Sequence, residues 1–290
     1  MNKVIEHLEL AKNRYKRIYF RPNSGNAGDS LINVGFYSLA EKVDLGYTEI
    51  SDDFDYAALG PDDLVILSGG GNIVPYWHAG SDLIRRLTQY SFPLLLMPQS
   101  IEGRQDVLSL LRKGDTLFLR ERYSFDYARS LDLACDISLD HDLAFSTNLE
   151  LFTTPVKSPK SSIKNARKML YIAYHYVRSR FTKSLSALRT DRESKIDGPK
   201  RKINDISIVA KFGTRDRDLN LFSAKWLLKV LSWYDVVETD RLHVFVGCML
   251  VGTRVVLHDN AYHKITGVFE YSVKPHPTYS SLVDRPETVS

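Results

Sequence analysis

The 290-residue chain is 43% hydrophobic and 26% charged with a formal net charge of +4, enough apolar material for one large or two modest domains and not the composition of a disordered chain. No run of about 18 apolar residues occurs. The polar start, Met1-Asn2-Lys3 with Glu6 and Glu9, lacks a signal-peptide core, so a cytoplasmic protein is expected. Cys135 and Cys248 each stand alone in apolar surroundings, which argues against a disulfide framework or a paired-cysteine metal site and predicts two buried reduced thiols.

From Arg17 to about Phe145 short apolar runs alternate with amphipathic stretches, as in repeated βα units around a parallel sheet. The predicted strands are Arg17 to Phe20, Leu64 to Leu67, Leu94 to Met97 and Thr116 to Leu119, with a short one near Tyr47 to Ile50. After Phe145 comes a Lys- and Ser-rich stretch, Pro155 to Lys164, and then a basic, Tyr-rich helical segment from Asn165 to about Leu188. A second α/β series follows, with predicted strands Ile206 to Ala210, Asp235 to Glu238 and Arg254 to Leu257, and helices at Asp218 to Leu231 and Arg241 to Leu250. The Pro-containing tail beyond Lys274 lacks a sustained period and is read as loosely attached. The expected organisation is an N-terminal Rossmann-like domain over residues 1–150, a basic linker over 151–188, a C-terminal Rossmann-like domain over 189–274 and a tail over 275–290. The two halves are expected to face a cleft.

Ligands of open α/β sheets sit beyond the carboxyl ends of the strands, so residues directly after predicted strands carry the interest. The first such loop, Arg21 to Ile32, holds Gly25-Asn26-Ala27-Gly28-Asp29 before a helical pattern. It has neither the third glycine of a dinucleotide fingerprint nor the Gly-Lys-Ser/Thr of a P-loop, so neither NAD nor ATP is indicated. A turn capped by Asp29 or Ser30 explains it equally well, and Asp29 can also accept a hydroxyl proton. Ser68-Gly69-Gly70-Gly71-Asn72 exposes backbone after the next strand, and Pro98-Gln99-Ser100 and Arg120-Glu121-Arg122-Tyr123-Ser124 follow the strands after that. Arg120 suits bidentate binding of a carboxylate or phosphate, or a surface pair with Glu121 or an Asp.

Thr239-Asp240-Arg241-Leu242-His243 is the sharpest feature. Asp240 or Thr239 is placed to cap a helix whose first turn would contain Arg241 and His243. Arg241 opposes the helix dipole there unless an anion compensates it, which points to a phosphate-bearing ligand with His243 as an acid–base group. Asp259 to Lys264 follows the next strand at the same edge, where Lys264 adds a cation. Arg189-Thr190-Asp191-Arg192-Glu193 reads most simply as a solvated ion-pair cluster. No HExxH, Cys pair or Asp cluster calls for a metal.

Taken in order, Gly25 to Asp29, Gly69 to Asn72, Pro98 to Ser100, Arg120-Glu121 with Ser124, Arg189 to Glu193, Thr239 to His243 and Asp259 to Lys264 resemble the polysaccharide pyruvyltransferase family over roughly residues 15–272. The segment Phe152 to Leu188 departs from it. The resemblance implies a two-domain, GT-B-like fold and transfer of pyruvate from phosphoenolpyruvate to two hydroxyls of a sugar in an exopolysaccharide repeat unit. The product is a cyclic ketal, with phosphate released and no cofactor. It implies donor contacts at Arg120, Arg241, His243 and Lys264 and general-acid work at His243; Asp29 is the weaker choice for the acceptor base. Asn26, Asp29, Gly70, Asn72, Gln99 and Ser100 lie on the acceptor-side or cleft loops. The alternative is a glycosyltransferase of the same architecture using a sugar nucleotide.

Residues 157–202 hold 14 Lys or Arg against 3 Asp or Glu, a local +11 that leaves about −7 elsewhere. Within them, Asn165 to Leu188 has a basic amphipathic pattern that either packs as a solvated helix or lies on an anionic membrane as a peripheral contact, where the acceptor could be a lipid-linked oligosaccharide. Nucleic acid is not an expected partner.

Overall fold

The computed structural model describes residues 2–153, 155–191, 193–196 and 201–285. They form two compact units, Met1–Asn23 with Gly35–Thr147, and Ser24–Val34 with Asn148–Ser290. Each is a parallel sheet with helices, a Rossmann-like α/β arrangement.

In chain order the first unit's elements are α1 (Lys3–Arg14), β1 (Arg17–Arg21), α2 (Ala27–Lys42, whose first turns belong to the second unit), β2 (Thr48–Glu49), β3 (Asp63–Leu67), β4 (Gly70–Ile73), α3 (Ala79–Leu87), β5 (Leu94–Ile101), α4 (Gln105–Leu108), β6 (Thr116–Leu119), α5 (Arg122–Arg129) and β7 (Asp136–Leu139). The sheet order is β2-β1-β3-β5-β6-β7, with β4 also paired to β5, and every pairing is parallel. β3 and β5 are apolar and buried throughout their apolar positions, as expected of strands covered on both faces. Phe20 of β1 stacks on Phe36 of α2 with ring centroids 3.7 Å apart, anchoring that helix to the sheet.

The second unit contains α6 (Ile163–Arg178), preceded in the numbering by α5, then β8 (Ser184–Ser186), α7 (Ile206–Val209), α8 (Arg217–Leu231), β9 (Val236–Thr239), α9 (Leu242–Val251), β10 (Arg254–Leu257), α10 (Lys264–Val268) running into a π-helical turn (Phe269–Val273), α11 (Pro277–Ser280) and β11 (Val283–Asp284). Its sheet order is β11-β10-β9-β8, again parallel. α9 is buried from Val244 to Met249 and packs on α8, with Gly247 admitting Leu231 to a distance that a Cβ would close to 2.8 Å.

Three expectations are corrected. Ile206 to Ala210 is not a strand: its β-branched run reads as one, but Ile206–Val209 closes a short helix in which the Asp205 carbonyl accepts from Ile208 N and Val209 N. Tertiary burial of Ile206 and Val209 overrides the local preference. The glycine run after β3 is not wholly bare loop, because Gly70 and Ile73 pair with Gln99 and Ile101 of β5. The tail is tied down through residue 285: β11 pairs with β10, and Arg285 meets Asp259 at 2.8 Å. Residues 286–290 of that tail, and Arg192 of the alternating-charge segment, lie outside the described residues.

Candidate active site

In the first unit the strand order reverses between β1 and β3, and at such a switch point loops leave the sheet in opposite directions and open a crevice. The loops that emerge there meet. Asn23 donates to the Gly69 carbonyl at 3.3 Å and accepts from Asn72 Nδ2 at 2.9 Å. Gly70 has φ +149°, and a Cβ on it would stand 2.9 Å from Asn23 Nδ2, so both backbone angle and space require glycine. Gln99 donates to the Ser68 carbonyl at 2.8 Å, fastening the β5 end to the same loop.

Beside them Arg120 lies at the junction of β6 and α5, fully buried. Its Nε donates to Ser100 Oγ at 2.8 Å and its Nη1 to Asp142 at 2.6 Å, with the Asp142 side chain equally buried. Glu121 is the N-cap of α5 and accepts from Ser124 N at 2.9 Å. The alternative of a surface pair with Glu121 or an Asp is therefore corrected: the partner is Asp142 and the pair is internal.

In the second unit the C-terminal ends of β8, β9 and β10 gather a network of buried charge. Arg241 Nη2 reaches Asp205 at 2.5 Å and Asp191 at 3.2 Å. Arg189 meets Asp191 and Glu193, each at 2.8 Å, and Lys264 meets Glu193 at 2.5 Å. Asp240 accepts from Arg189 N at 2.7 Å and from Ser194 Oγ. Arg189 and Glu193 are buried, so this segment is a built internal network and not the solvated cluster its alternating charges suggest.

Burial works to raise the Asp191 carboxyl, but the hydrogen bond from Arg189 and the charges of Arg189 and Arg241 outweigh it and hold the group down to about 2. Burial likewise works to lower Arg189, and Asp191, Glu193 and Asp240 more than reverse it, leaving the guanidinium raised. Arg241 Nε is the exception: it is buried and has no hydrogen-bond partner among the described residues. A buried donor left unmade costs about 1–3 kcal/mol, so it calls for a cause.

The local geometry of Thr239 to His243 differs from expectation in one respect. Arg241 is itself the N-cap of α9, Leu242 is the first helical residue, and neither Asp240 nor Thr239 caps the helix by side chain. Thr239 Oγ1 instead accepts from Arg241 N at 3.1 Å and donates to the Ala187 carbonyl at 2.9 Å, while Asp240 is engaged by Arg189 and Ser194. From Arg241 to Met249 every residue except His243 is buried.

His243 stands where two helix N-termini meet. A Cβ on Gly28, in the first turn of α2, would lie 2.7 Å from His243 Cβ and 3.0 Å from its Nδ1. Asn26 caps α2 by accepting from Gly28 N at 2.7 Å, and Asp29 reciprocates by accepting from Asn26 N at 2.8 Å. Ser30 is not the cap; it donates to the Gly213 carbonyl at 3.4 Å. The positive ends of α2 and α9 thus converge on His243, a setting that favours a bound anion.

The structure therefore gathers the named residues into two groups. Gly70, Asn72, Gln99, Ser100 and Arg120 share the sheet edge of the first unit, and Asn26, Asp29, Arg241, His243 and Lys264 share that of the second. Sequence reading missed Asn23, Asp142 and Asp205, each the partner of a residue it named. Asn23 had a signal, its place in the first loop; the two aspartates had none. Among the described residues no group of three or more His, Cys, Asp or Glu is placed to hold a metal ion.

The family model described as polysaccharide pyruvyl transferase matches residues 3–261. Among curated proteins none matches the chain. Among solved structures the chain is similar to a functionally uncharacterised protein from Klebsiella pneumoniae subsp. pneumoniae, with 26% identity, a TM-score of 0.75 and coverage of 98% of this chain and 97% of that one.

Proposed function

The chain belongs to the polysaccharide pyruvyl transferase family, and from that premise we propose that its donor is phosphoenolpyruvate and its product a cyclic ketal on two hydroxyls of one sugar. The observation that carries this reading is the pairing of His243, at the meeting of two helix N-termini, with a buried Arg241 whose Nε has no hydrogen-bond partner among the described residues. A phosphate or carboxylate oxygen completes the guanidinium at Nε, and the helix ends supply further positive potential.

His243 protonates the methylene carbon of the donor, and the neighbouring carbon, now electron-poor, is attacked by the first sugar hydroxyl. Phosphate departs and the second hydroxyl closes the ring on the same carbon. Of the two hydroxyl protons lost, one replaces the proton given by His243 and the other leaves with phosphate, so the sum is balanced. Asp29, beside Gly25 and Asn26 in the same unit, is the acceptor-side base in this reading.

Lys264 and Arg241 serve as donor cations, but both are paired at rest, so binding must exchange a carboxylate for the donor. Asp191 is the group to yield: its side chain is 33% exposed while those of Asp205 and Glu193 are buried, and it holds Arg241 at the longer distance. The acceptor is a polysaccharide unit, proposed to be carried on a lipid. Phosphate release from phosphoenolpyruvate with acceptor, and its loss in His243→Ala, tests the assignment; undiminished release in the variant would remove His243 from it. A nucleotide sugar raising the melting temperature where phosphoenolpyruvate does not would favour the glycosyltransferase alternative.

A further inference from the structure

Of the twelve large apolar side chains exposed among the described residues, seven lie between Ile163 and Phe181. Ile163 (91% exposed), Leu170, Tyr174, Val177 and Phe181 (85%) lie along α6 and just past its end. Their spacing of seven, four, three and four residues puts them on one face. α6 packs on α7 and α8 through the opposite face, where Ile172 and His175 are buried and His175 is held by the Tyr234 hydroxyl at 2.9 Å and the Ile203 carbonyl at 2.8 Å. The helix is thus anchored by one side and presents an apolar stripe on the other, against the usual order for a surface helix.

The charge around the stripe has one sign. Between Glu150 and Asp191 there are nine Lys or Arg and no acidic residue. Arg167 and Arg180 donate to the Tyr171 and Tyr176 hydroxyls at 2.7 and 2.6 Å, and Arg178 to Asn204 Oδ1 at 3.2 Å, so the partners of these guanidinium groups among the described residues are neutral.

We propose that α6 docks the protein on an anionic bilayer, its stripe from Ile163 to Phe181 entering the headgroup region and the exposed Arg167 and Arg180 that flank it meeting lipid phosphates. An apolar face bordered by Lys and Arg is the composition that lies in a membrane interface, the apolar face sinking to the acyl boundary while long basic side chains reach back to headgroups. No helix among the described residues is long and apolar enough to cross a membrane, so this contact is lateral. A second copy of this chain would face the same basic border and be repelled by it. The inference rests on the pyruvyl-transfer reading only for why the protein visits a membrane, where lipid-carried glycans reside.

Flotation of the full chain with vesicles tests it. The protein is expected to float with phosphatidylcholine vesicles containing about a quarter phosphatidylglycerol, to stay behind with phosphatidylcholine alone, and to release as salt rises. The double variant Leu170→Ser/Phe181→Ser alters only exposed residues, should keep its melting temperature, and should lose binding by about tenfold or more. Arg167→Glu/Arg180→Glu should abolish the preference for anionic lipid. Absence of flotation, flotation unchanged in Leu170→Ser/Phe181→Ser, or a variant that changes the oligomeric mass while vesicle binding persists, would each overturn the proposal. Pyruvyl transfer to a soluble glycan, assayed on the same samples, should be unaffected by Leu170→Ser/Phe181→Ser; its absence from wild type together with intact flotation would remove the functional reading and leave the docking surface standing.

Discussion

Replacing Gly28 by alanine places a methyl group 2.7 Å from His243 Cβ and 2.9 Å from the Asn26 Oδ1 that caps Gly28's own N–H. Ordinary van der Waals contact begins at 3.4 Å, so the first turns of α2 and α9 must separate, or His243 must swing away, by about 0.7 Å. Overpacking of this kind costs about 1–3 kcal/mol. The exchange of glycine for alanine in a helix returns up to ~1 kcal/mol, so the net loss of stability is about 0–2 kcal/mol. The effect on chemistry should be larger, because a reacting group displaced by about 1 Å loses on the order of 100-fold in rate. The assay pairs thermal melting with the kcat for phosphate release from phosphoenolpyruvate in the presence of acceptor. Gly46→Ala is the control, since a Cβ there meets nothing within 4 Å. Gly28→Ala with a small change in melting temperature and near wild-type kcat would refute the claim that the two helix ends hold His243 in register.

Four further outcomes are expected. Arg120→Met leaves the buried Asp142 carboxylate without its cation and should destabilise the protein by about 3–5 kcal/mol, measured by urea unfolding; a loss under about 1 kcal/mol would show that the pair contributes little. Asp191→Asn removes the carboxylate that competes for Arg241 and should lower the KM for phosphoenolpyruvate by about fivefold, roughly 1 kcal/mol for a partly exposed pair; an unchanged or higher KM would exclude Asp191 as the group that yields. Because Asp191 is held down to about 2 in the folded protein, its contribution to stability is present above about pH 4 and is lost as pH falls through about 2. Wild type should therefore lose melting temperature faster than Asp191→Asn on acidification, and parallel curves would contradict this. Cys135 and Cys248 are buried, and burial raises both thiols, that of Cys135 to about 12. Neither should react with a thiol reagent until the protein unfolds.

The sequence discloses those parts of the molecule that local chemistry specifies. Thr116–Leu119 and Arg254–Leu257 are strands with the limits their apolar runs suggest, and the polar loops after them lie at the sheet edges. Where burial is decided at a distance, local reading fails. Ile206 to Ala210 has the composition of a strand, yet it forms a short helix because Asp205 begins a turn and also reaches Arg241, 36 residues away. β8, Ser184–Ser186, is short and polar, and only its pairing with β9 makes it a strand.

The candidate site divides in the same way. Arg241 and His243 are legible because a cation at the N-terminus of an apolar helix is a local anomaly. Of the carboxylates that meet that cation, Asp191 lies in the alternating-charge segment Arg189 to Glu193, whereas nothing around Asp205 distinguishes it from a surface acid. In the sequence alone this anomaly points to a bound anion, whereas the folded chain answers most of it internally and leaves Nε of Arg241 without a hydrogen-bond partner among the described residues.

Mass spectrometry of candidate glycans incubated with the protein and phosphoenolpyruvate tests the central claim most directly. Ketal formation adds pyruvic acid and removes water, so the account predicts a gain of about 70 Da on an acceptor with two suitably placed hydroxyls. A gain of a hexose from a nucleotide sugar under the same conditions, with no 70 Da product from phosphoenolpyruvate on any acceptor, would contradict it.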